Sequence, residues 1–104
     1  MSWKLKATNE FWADFHETTE YIAGTLKNPA AADNLLDELV KNAKTLLLFP
    51  RASRVYAAPP ETDEAYYALK VKNYMAFYVV RDDVIEFRRF LYSRADMSDR
   101  LKQS

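Results

Sequence analysis

The chain has 104 residues, 49% of them hydrophobic, with one Gly and four Pro, which is enough for one packed domain over residues 1–104 and too little for a second. It has no cysteine, so disulfides, thiolate metal sites and cysteine nucleophiles are excluded together. Its 15 basic and 15 acidic side chains balance to zero net charge, so charge alone does not announce a nucleic-acid binder.

From the N-terminus, WKLKAT (3–8) alternates apolar and basic residues with period two and predicts a short strand. Thr8 or Asn9 is a natural cap for the helix that follows. Its apolar positions Phe11, Trp12, Phe15, Ile22, Ala23 and Leu26 keep helical spacing, while Glu10, Asp14, Glu17 and Glu20 lie on the other side. Asn28 and Pro29 restart the pattern as an N-cap and a first-turn proline. Leu35, Leu36, Leu39, Val40, Ala43, Leu46 and Leu47 form the apolar stripe of a second helix, which Pro50 ends. So short a link between the helices predicts an antiparallel hairpin.

Residues 50–64, PRASRVYAAPPETDE, lack periodicity and read as an irregular connection. Three runs rich in Val, Ile, Tyr and Phe follow at 65–71, 74–80 and 84–92, separated by Lys72-Asn73 and Arg81-Asp82-Asp83, as in an antiparallel meander. The expected architecture is α+β: an N-terminal strand, then a two-helix hairpin packed on one face of a curved antiparallel sheet, in the order β-α-α-β-β-β. No apolar run is long enough to span a membrane and MSWKLKATNEFW has no signal-peptide core, so the expected location is the cytoplasm.

The segments YIAGTLKNPAAADNLLDEL, LLLFPRASR, LKVKNYMAFYVV and RRFLYSRAD, in this order and spacing, resemble the RelE/ParE superfamily of toxins from bacterial type II toxin–antitoxin (plasmid stabilisation) systems. The resemblance implies a cognate antitoxin protein as partner, and a toxic activity that is either metal-independent cleavage of mRNA in the ribosome or poisoning of DNA gyrase. It also admits a toxin fold that has lost toxicity. Ala68 and Met75 stand where family members commonly carry arginines.

Metal-free RNA cleavage needs the 2′-hydroxyl deprotonated, the leaving oxygen protonated and the phosphorane charge stabilised, all of which Arg, Lys and Tyr can supply. In the ribonuclease branch a tyrosine or histidine near the end of the last strand is catalytic, and Tyr92 matches that place. With period-two spacing Arg88 shares a face with Tyr92, and Lys70 shares one with Lys72. The expected site is therefore Tyr92, Arg88 and Arg94 for catalysis, with Lys70, Lys72, Arg51 and Arg54 on phosphate. The terminal RRFLYSR cluster makes the endoribonuclease the preferred expectation and gyrase binding the alternative. Arg89, on the opposite strand face from Arg88, is expected to be structural, and His16 to be a surface or packing residue. Asp82-Asp83 is explained by a hairpin turn, so no metal and no cofactor is expected.

Overall fold

A computed structural model describes residues 3–49, 54–56 and 66–93, the side chains of 54–56 excepted. Strand β1 (Lys4–Ala7) is followed by helices α1 (Asn9–Glu20) and α2 (Pro29–Leu46), then by strands β2 (Arg54–Tyr56), β3 (Tyr66–Val71), β4 (Tyr74–Arg81) and β5 (Val84–Tyr92). The five strands form one sheet in the order β1-β5-β4-β3-β2. All neighbours run antiparallel except β1, which joins β5 in parallel from Lys4 opposite Val84 to Ala7 opposite Phe87. The helices intervene between β1 and the rest of the chain, which is the long crossover that parallel pairing requires.

The helix boundaries follow the capping chemistry. The Thr8 hydroxyl accepts the Phe11 N–H at 3.2 Å, and the Asn28 side chain accepts the Ala31 N–H at 3.1 Å ahead of Pro29. After Glu20 the first helix widens into a π-helical turn, Tyr21–Thr25, in which the Leu26 N–H reaches back to the Tyr21 carbonyl at 3.0 Å. Lys27, at φ 51°, then turns the chain into α2.

The helices cover one face of the sheet. Phe11, Phe15, Ile22, Leu35, Leu39 and Leu46 meet Val71, Ala76, Tyr78, Ile85, Phe87 and Phe90 in the main core. Its centre is aromatic: Phe11 lies 5.3 Å from Phe87 and 5.9 Å from Phe90, and Phe15 lies 5.0 Å from Phe90. The two pairs with Phe90 are edge-on, and such pairs add about 0.5–1.5 kcal/mol each beyond area burial. The other face of the sheet carries a second buried cluster of Tyr66, Ala68, Phe77, Val79 and Leu91.

Two features depart from the sequence expectation. The connection over 50–64 contains a strand, since Arg54–Tyr56 pairs antiparallel with Tyr66–Ala68; its remaining residues lie outside the described ones. Strand β5 is also irregular: Arg89 lies opposite Phe77 while Phe87 lies opposite Tyr78, which leaves Arg88 as an extra residue in a β-bulge. Among the described residues no helix is long and apolar enough to cross a membrane.

Candidate functional site

The bulge decides where the expected site residues point. Before it, Ile85 and Phe87 face the helices; after it, Phe90 does, so the side-chain alternation is reset by one residue. Tyr92, two residues beyond Phe90, therefore lies on the helix side. Its ring meets Tyr74 edge-on at 5.6 Å, and Tyr74 in turn stacks on Phe90 at 5.2 Å. Glu86 is opposite Val79 of the second cluster, on the far face of the sheet, and the Arg88 Nε donates to its Oε1. Arg88 and Tyr92 thus occupy opposite faces of the sheet, contrary to the period-two expectation.

Arg89 is structural. Buried to 8% exposure, it donates from Nε and Nη2 to the Asp14 carboxylate at 2.6 and 3.1 Å. The same carboxylate accepts the Phe90 N–H at 3.1 Å. This N–H belongs to the part of β5 that extends past the end of β1, so a helix side chain completes the strand edge. Hydrogen bonding to Asp14 raises the Arg89 pKa above its ordinary value, against the opposing effect of burial. Asp14, read from the sequence as part of an exposed acidic face, is thereby half-buried and essential to the packing.

Lys70 lies opposite Met75, on the face of the second cluster, and is exposed. Lys72 occupies the β3–β4 turn at φ 56°, also exposed. Arg54 belongs to β2 by its backbone, opposite Ala68; its side chain, with Arg51 and Arg94, lies outside the described residues. His16 is on the surface, its Nε2 2.9 Å from Glu20 Oε1. Among the described residues no group of three His, Asp or Glu side chains is arranged to hold a metal.

Among the concave surfaces beside α1, two bear on function. The first is an apolar groove of about 560 Å³ between β1 and the helices, with Leu5, Trp12, Leu36, Val40 and Phe87 in its lining and Lys6 and Lys44 on it. Trp12, Leu36, Val40 and Leu5 are each between 42% and 51% exposed, so part of the two helical stripes is left outside the core. The second is a cleft of about 710 Å³ beside Tyr74 and Tyr92, whose lining includes Asp14, Glu17 and Tyr21. Tyr21 and Glu17 were not legible as site residues: Tyr21 lies outside the apolar stripe, and Glu17 sits in the acidic face.

No curated protein matches the chain. Among solved structures it is similar to the chromosomal ParDE TA system from P. aeruginosa, at 19% identity and a TM-score of 0.67, over 88% of this chain and 96% of that one. It is also similar to the archaeal RelE–RelB complex from Pyrococcus horikoshii OT3, at 15% identity and a TM-score of 0.57, over 91% of this chain and 100% of that one. At these identities the likeness is one of fold. Residues 5–97 match the family model of the ParE toxin of the type II toxin–antitoxin system parDE, and the chain belongs to that family.

Proposed function

We propose that this toxin acts by binding DNA gyrase, without covalent chemistry of its own. The observation that carries this reading is the separation of Arg88 and Tyr92 by the sheet. A ribonuclease must bring a proton donor and a phosphate-binding cation to the same few ångströms around one phosphate. Here Arg88 bonds Glu86 on one face, and Tyr92 stands on the other beside the exposed carboxylate of Glu17, which repels phosphate. The absence of the two family arginines, at Ala68 and Met75, and the ParE family match support the same reading.

The antitoxin is expected in the apolar groove. A segment that folds on binding, with apolar side chains toward Trp12, Leu36 and Val40 and acidic ones toward Lys6 and Lys44, would complete the burial that the helical stripes begin. The supporting parallel is that one of the similar folds, RelE–RelB, is a complex.

Following labelled thymidine and methionine uptake after induction of the toxin tests the gyrase reading. DNA synthesis should fall first while translation continues. An early loss of translation with broken messages and intact DNA would replace it by the ribonuclease reading.

A further inference from the structure

The cleft beside the end of β5 is used neither by the core nor by the proposed antitoxin groove. Three phenols converge on it: Tyr74 in its wall, and Tyr21 and Tyr92, 51% and 44% exposed. Among the described residues that line it, the charged ones are Asp14 and Glu17, and none is Lys, Arg or His. Asp14 is occupied by Arg89 and the Phe90 N–H, whereas the Glu17 carboxylate is exposed and has no ion-pair partner among the described residues.

We propose that this cleft receives an arginine side chain of a protein partner, its guanidinium stacked against the tyrosine rings and hydrogen-bonded to the Glu17 carboxylate. Aromatic faces carry the negative side of their quadrupole outward and attract a cation, most strongly when water is partly excluded. A guanidinium suits the site better than an ammonium because it is planar, less strongly hydrated, and able to stack and fork onto a carboxylate at once. Phosphate-bearing ligands are disfavoured by the Glu17 carboxylate, Asp14 being paired with Arg89. The phenols are also held in place. The π-helical turn begins at Tyr21, and the Ser93 N–H bonds the Asn73 carbonyl at 3.0 Å, which fixes the end of β5 against the β3–β4 turn. Burial pushes the Tyr74 phenol above its ordinary value, with Tyr92 and Tyr21 acting in the same direction, so its ring stays neutral.

Titration of the full chain with the capped tripeptide Gly-Arg-Gly, followed by NMR of the tyrosine ring protons, tests the proposal. Its norleucine and lysine counterparts and adenosine monophosphate serve as comparison probes. The arginine peptide should shift the Tyr21, Tyr74 and Tyr92 signals saturably and bind more tightly than the other three. Glu17→Gln, at an exposed position that does not endanger folding, should weaken it about five- to tenfold, and Tyr92→Leu by about tenfold. Tyr92→Phe, which keeps the ring, should stay within about twofold. Equal binding of norleucine, lysine or the nucleotide, or shifts that leave these rings unmoved, would overturn the proposal. Because no probe contains gyrase or the antitoxin, the result is independent of the toxin's target.

Discussion

Asp14 shows most directly how single residues set this site. Its carboxylate pairs with Arg89 and accepts the N–H of Phe90, so removing it takes the counter-charge from a buried guanidinium and the acceptor from a buried donor together. Breaking a buried pair from one side costs about 3–5 kcal/mol, and Asp14→Ala is expected to lose about that much in urea denaturation, against under 1 kcal/mol for the exposed Glu20→Ala. The sequence showed Asp14 only as one of four acids on a helix face. Its partner lies 75 residues away, and helical spacing carries no information about such a contact. Tyr92 is the opposite case, a residue whose position at a strand end was legible while its orientation was not. Because it faces the helix side, away from Arg88, Tyr92→Phe is expected to leave growth arrest unchanged when both proteins are expressed at equal level. A loss of 10²-fold or more would instead identify a proton-transfer role.

At the scale of elements, both helices and the three long strands follow from capping residues and periodicity: the helix starts and the strand bounds lie within a residue of the expected ones, whereas α1 passes into a π-helical turn after Glu20 although its stripe runs to Leu26, and α2 ends at Leu46, ahead of Pro50. Strand β2 was not legible because three residues are too few to display a period, and its pairing with β3 comes from tertiary context. The bulge did leave a trace. In VIEFRRFLY the alternation breaks at two adjacent arginines followed by two adjacent apolar residues, which is what an extra residue in a strand produces. Thr8 links this bulge to α1: its hydroxyl caps the helix through the Phe11 N–H and donates to the Arg88 carbonyl at 3.1 Å. Thr8→Ala removes both bonds and is expected to cost about 1–2 kcal/mol. Thr8→Ser, which keeps both, should cost less than about 0.5 kcal/mol in the same denaturation experiment.

For the molecule as a whole, the helical stripes hold more apolar surface than the sheet covers, and the surplus lines a groove flanked by two lysines. Val40→Asp places a charge on that surface, at a half-exposed groove residue outside the buried core. It is expected to weaken the toxin–antitoxin complex at least tenfold, measured by calorimetry, while leaving the melting temperature of the free toxin nearly unchanged. On the other flank of α1, phenols and carboxylates occupy the place where RNA cleavage would need cations. On the gyrase-binding reading proposed above, the toxin acts through contact area, and its target should respond to binding alone. Supercoiling of relaxed plasmid by purified gyrase, with this toxin added before ATP, measures that directly. Inhibition that rises with toxin concentration and is reversed by the antitoxin is the expected result. Supercoiling that proceeds at full rate in a molar excess of folded toxin would contradict it.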